Sequence, residues 1–176
     1  MMKKILGIFM LIAGIIIAVT ASSATFAYFE AERGVHIEVV PDDSELIDLR
    51  PIQPYAYIDP EDGILVIDLS MQNDNWEEGY GIGVSPDSLY VFEEVFGVSN
   101  DLWEEIPICM EVTYTGNGAI TFFMGDYNGT TYDTLKFTVL PGEVVPVGMA
   151  IDSAGIVNGT LISGNLAFHA VAGACP

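Results

Sequence analysis

Carboxylates are the most abundant side chains here that can do chemistry: 176 residues hold 25 Asp and Glu against 5 Lys and Arg and 2 His. Three runs concentrate them. Asp42-Asp43-x-Glu45-x-x-Asp48, Asp59-x-Glu61-Asp62 and Asp74-x-x-Glu77-Glu78 each put several hard oxygens in one loop. Calcium takes roughly six to eight such ligands from flexible loops. Asp42, Asp43, Glu45, Asp59, Glu61 and Asp62 are therefore the candidate ligands, with calcium the one cofactor the sequence suggests. None of the runs has the EF-hand spacing, and a plain solvated surface is the competing reading.

Catalytic sets do not assemble. His36 and His169 lie outside any HExxH or other zinc-ligand spacing. His36 falls within an alternating apolar pattern and reads as a solvent-side residue; His169, in LAFHAVA, reads as a packed or edge residue. There is no GxSxG elbow and no P-loop, and Gly79-Tyr80-Gly81-Ile82-Gly83 is not followed by a phosphate-binding helix pattern. Cys109 and Cys175 are the only cysteines. In an exported chain such a pair reads as a disulfide, which removes both as thiol nucleophiles. Glycoside hydrolysis needs two carboxylates converging in a cleft, which sequence spacing does not establish. The expectation is a protein that is not an enzyme.

The N-terminus sets the compartment. Lys3 and Lys4 precede an uncharged apolar run, Ile5–Val19, and Ser22 and Ala24 stand three and one residues before a possible cut. That is the layout of a secretory signal peptide, 1–24, cleaved between Ala24 and Thr25, with Ala21 the other candidate. A retained anchor is the alternative, because the stretch extended to Ala24 reaches bilayer-spanning length. No basic flank follows it; the next charges are Glu30 and Glu32.

Cleavage would leave Arg33, Arg50 and Lys136 against 25 acids, a net of −22. Such a surface repels nucleic acid and anionic lipid and attracts cations, so the membrane enters only during export. Apolar residues make up 51% of the chain, which excludes a disordered acidic tail. A salty habitat and divalent-cation binding both account for the charge. Asn128-Gly-Thr130 and Asn158-Gly-Thr160 are glycosylation sequons in turn-like sequence.

The elements that must position these residues are strands. Val35–Val40 alternates. Tyr55–Ile58 and Ile64–Leu69 flank the turn Asp59–Gly63. Ser88–Val98, Pro107–Tyr114, Ala119–Met124, Thr131–Leu140, Val144–Ile151 and Thr160–Ala172 follow, separated by Gly, Asn and Asp. Short strands at this spacing predict an all-β, jelly-roll-like β-sandwich, one domain over 34–176. Helical signal is confined to Asn100–Ile106, one capped turn or two. Pro86-Asp87 and Pro141-Gly142 each open an apolar strand, a weak internal echo.

Several stretches together resemble a known group: TFAYFEAERG after the signal, PDDSELIDL, DPEDGILVIDLS, VSPDSLYVFEEVFGVSN and LPGEVVPVGMAI. They are similar to archaeal secreted β-proteins related to bundling-pilus subunits and, more distantly, to the TasA/camelysin family of bacterial biofilm-matrix proteins. That resemblance implies a jelly-roll-like sandwich whose subunits join by donor-strand complementation. The donor would be Thr25–Arg33. A protease activity described for camelysin is not implied, because the chain has no metalloprotease motif.

The residues of that segment agree. Extended, Phe26 and Tyr28 point one way while Ala27, Phe29 and Ala31 point the other, with Thr25, Glu30, Glu32 and Arg33 completing the stretch. Added to a neighbour's sheet, it would gain backbone hydrogen bonds. Each buried aromatic would contribute about 1.5–3 kcal/mol. The intramolecular alternative makes it the domain's own first edge strand. Donation between copies is head-to-tail and builds filaments. The expected function is thus a secreted structural subunit of an extracellular pilus or matrix, partnered by copies of itself and by divalent cations between filaments. The alternative is a monomeric cell-surface module binding calcium or glycan.

Overall fold

In Ile108–Gly116 the apolar residues alternate, and so does their burial: Ile108, Met110 and Val112 are buried while Cys109, Glu111 and Thr113 are less so. A strand with one face on a core requires that period of two. The structure, a computed structural model, describes Met10, Gly34, Val35, residues 37–117 and residues 119–176. The expected signal segment (Met10 apart), the cleavage point between Ala24 and Thr25, and the donor segment Thr25–Arg33 lie outside the described residues, as does His36.

Among the described residues nine strands follow one another: β1 (Leu49–Pro51), β2 (Ala56–Ile58), β3 (Leu65–Ile67), β4 (Leu89–Ser99), β5 (Ile108–Gly116), β6 (Ala119–Phe123), β7 (Thr134–Val139), β8 (Val144–Asp152) and β9 (Gly164–Ala172). They make an all-β sandwich. One antiparallel sheet has the order β1-β4-β8-β6, a second the order β7-β5-β9, and β2-β3 is a hairpin. From β4 to β9 each successive strand joins the opposite sheet. The two inner faces share one core that includes Phe96, Val98, Val112, Phe122, Phe137, Val147 and Met149.

Two local devices shape the larger sheet. Between Phe92 and Phe96 the register of β4 against β8 slips, so that Glu93, Glu94 and Val95 face Gly148. Glu94 sits at φ 53°, the left-handed conformation that such a bulge uses. Past the bulge, Val95 to Ser99 are all buried. Opposite it, Gly148 leaves room for the Phe123 ring, which stands where a Cβ on Gly148 would be, 2.5 Å from its nearest atom. Pro146, lacking an N–H, falls where β8 has β4 alone as its paired neighbour, the one kind of place a sheet tolerates it.

The echo at Pro86 and Pro141 is structural. Asp87 (φ 49°) and Gly142 (φ 70°) each take the left-handed conformation after the proline, and each turn opens one of the paired strands β4 and β8. Two expectations are corrected. Gly34, Val35 and Ile37–Val40 form no strand: alternation needs a partner ladder, and Val39 stands 96% exposed. Asn100–Ile106 forms a turn rather than a helix. Asn100 or Asp101 would have capped it; buried Asn100 accepts the Leu102 N–H (3.3 Å) while its amide donates to the carbonyls of Ile106 (2.8 Å) and Val139 (3.1 Å). β1 was not legible beforehand. It pairs with Phe96–Val98, and its own Arg50 bridges buried Asp48 (2.8 Å) and Asp101 (3.2 Å).

Candidate functional site

The smaller sheet ends on β9, and that edge is the feature best suited to receive a partner. All nine residues of β9 pair with β5, from Gly164↔Gly116 to Ala172↔Ile108. Its other side carries no strand among the described residues. The inward row Leu166, Phe168 and Ala170 is only half-buried, whereas Ile108, Met110 and Val112 of the neighbouring β5 row are buried. Phe168 meets Phe96 edge to face at 5.7 Å, so the core itself reaches this edge. Opposite it stands a four-stranded sheet, one strand wider.

Exposed edges are normally blunted by charge, proline or a covering segment. The other edges here show such devices: β1 is three residues long, Phe122 of β6 bridges Tyr132, and β7 carries Lys136 paired with Glu111 at 2.7 Å. β9 has none of these, its one titratable side chain being the exposed His169. Residues 153–176 in fact contain no Asp, Glu, Lys or Arg, in a chain with 30 such residues. That uncharged stretch is the signal in the sequence that marks the edge, and pattern reading for catalytic groups passes over it.

The disulfide between Cys109 and Cys175 is formed. Cys109 points away from the core, so the bond fastens the segment after β9 across the outer face of the smaller sheet. Gly173 N–H donates to the Pro107 carbonyl (2.7 Å) and Cys175 N–H to the Thr138 hydroxyl (2.9 Å).

The proposed calcium ligands serve turns. Asp42 accepts the Leu65 N–H at 2.8 Å, Asp59 accepts the N–H groups of Glu61 (2.8 Å) and Asp62 (3.3 Å), and Asp43 accepts the Ser44 hydroxyl. Partial desolvation, then the charges of Asp42 and Asp48, push the Glu45 carboxyl above the usual range. Among the described residues no three His, Cys, Asp or Glu side chains group so as to hold a metal ion. Both sequon asparagines are exposed in turns. Gly79–Gly83 is a loop.

A family model described as "Protein of unknown function (DUF1102)" matches residues 39–175. No curated protein and no solved structure matches.

Proposed function

We propose, from the premise that the chain belongs to the DUF1102 family, that it is a secreted subunit that polymerises into an extracellular pilus or matrix filament by strand addition. The observation that carries the reading is the open, uncharged edge of β9 with its half-buried inner row. In this reading Thr25–Arg33 of one copy, freed by cleavage after Ala24, pairs alongside β9 of the next copy. Donor and acceptor are both nine residues long. One aromatic face of the donor covers Leu166 and Phe168, and its backbone satisfies the free ladder. The resemblance to bundling-pilus and TasA/camelysin proteins supports the same reading.

Each added copy would bring a formal charge of about −22 to the filament. Divalent cations would then bridge neighbouring filaments into bundles.

The test is electron microscopy of protein beginning at Thr25 and of a truncation lacking Thr25–Glu32. The longer chain is expected to form fibres of regular axial repeat. The truncation should remain a folded monomer that binds a synthetic Thr25–Arg33 peptide. A chelator at constant ionic strength should disperse bundles while leaving single fibres intact. Fibres of unchanged form from the truncated protein would rule out this donor, and uniform monomers of the longer chain would rule out the filament.

A further inference from the structure

A hollow of about 600 Å³ lies away from the β9 edge, between the start of β4, the segment before β2 and the loop after β3. Its walls are unusually aromatic. Tyr55, Trp76, Tyr80, Tyr90 and Phe92 line it together with Asp68. Tyr55 meets Phe92 edge to face at 5.1 Å, and Phe92 stacks on Tyr90 at 6.3 Å with their planes 13° apart. The three rings thus form a connected series.

The row is held from behind. Buried Asn73 donates its amide to the carbonyls of Pro54 (3.1 Å) and Asp68 (2.7 Å), and its own oxygen accepts the Asn75 N–H at 2.8 Å. The side chain of Asn75 donates to the Pro54 carbonyl as well, at 3.1 Å. Ser85 fixes the Tyr90 hydroxyl through two hydrogen bonds. The indole N–H of Trp76 donates to the Tyr80 carbonyl at 3.4 Å, tying the far wall together. One oxygen of Asp68 accepts the Ser70 N–H at 2.7 Å. Its other oxygen accepts no hydrogen bond among the described residues.

Core aromatics do not look like this. Tyr55 is 40% exposed and Tyr80 60% exposed, yet both surround a preformed hollow of a size typical for small ligands. Flat apolar rings beside a carboxylate and amide and hydroxyl groups match a ligand with an apolar face and an equatorial rim of hydroxyls. No Lys or Arg lines the hollow, which disfavours phosphate, sulfate or uronate.

We infer that this hollow is a binding site for a neutral saccharide, its sugar rings lying on Tyr55 and Trp76 and its hydroxyls donating to Asp68. The inference does not depend on the filament reading.

The chain has two tryptophans, and Trp103 is 90% exposed. Trp103→Phe therefore leaves Trp76 as sole indole reporter without touching the site. Cellotetraose and xylotetraose represent β-linked polysaccharides, chitotetraose and mannotetraose the elements of protein-linked glycans, and choline chloride the organic cation. At least one oligosaccharide is expected to shift Trp76 emission saturably, and which pair does so identifies the source. By calorimetry, Tyr55→Ala and Trp76→Ala should each weaken that binding about tenfold or more, with thermal melting showing the variants folded. Asp68→Asn, which keeps the oxygen that caps Ser70, should weaken it less. The site is refuted by any of three outcomes: no response to the four sugars, sugar binding unchanged in Tyr55→Ala and Trp76→Ala, or saturation by choline alone.

Discussion

Phe96→Ala is expected to lower stability by about 3–5 kcal/mol, the range for emptying a buried phenylalanine site. The residue is fully buried. It is the first position after the β4 bulge and pairs with Val147 on one side and Pro51 on the other. Across the sandwich it meets the ring of Phe168. The surrounding groups are fixed in both sheets, so the space cannot collapse cheaply. Thermal melting should fall by roughly 10 °C or more. Phe96→Leu, closer in volume, should cost less than about 1.5 kcal/mol. A double-mutant cycle with Phe168→Ala should show a coupling of about 0.5–1.5 kcal/mol, as expected for an aromatic pair in contact. Additive effects, or an alanine variant melting like the parent, would contradict this packing.

The second large effect is expected on replacing both Cys109 and Cys175 with alanine, at about 2–4 kcal/mol. The bond spans 66 residues, a long loop whose closure restricts the unfolded chain. In the folded state the loss is local: the segment after β9 leaves the outer face of the smaller sheet, while the inward row of β5 is untouched. Urea unfolding should therefore show a lower midpoint together with a steeper slope, because an unfolded chain without the crosslink exposes more surface. Reductant added to the parent protein should reproduce both changes. An unchanged midpoint would show that the crosslink does not stabilise the fold.

Most strands were legible because their residues obey a local rule. β5 and β7 alternate, and turn residues bracket β4, β6 and β8, so their positions follow from periodicity and punctuation. β1 escaped because Leu49-Arg50-Pro51 has no strand pattern of its own; pairing with Phe96–Val98 makes it a strand. Val35 and Ile37–Val40 failed in the opposite way, with a pattern and no ladder among the described residues. Sheet order was invisible, since nothing in Asn117 and Gly118 announces that β5 and β6 part to different sheets. The aromatic hollow was equally hidden, because Tyr55, Trp76 and Phe92 converge only through the folded arrangement of loop and strand. The carboxylate runs were read correctly as loops, but Asp59 is turned to the N–H groups of its own turn and Asp42 to the Leu65 N–H of β3.

The alternation of strands between sheets has a kinetic consequence. Apart from β2 with β3, no strand pairs with its neighbour in sequence; β4 must wait for β8, and β5 for β9. Nearly every ladder thus closes a long loop before any contact rewards it, which places the chain among slow-folding topologies. During synthesis the larger sheet cannot be completed until β8, ending at Asp152, has emerged, and the smaller one waits for β9, ending at Ala172. A nascent chain of this design cannot close either main sheet until most of its length has been made.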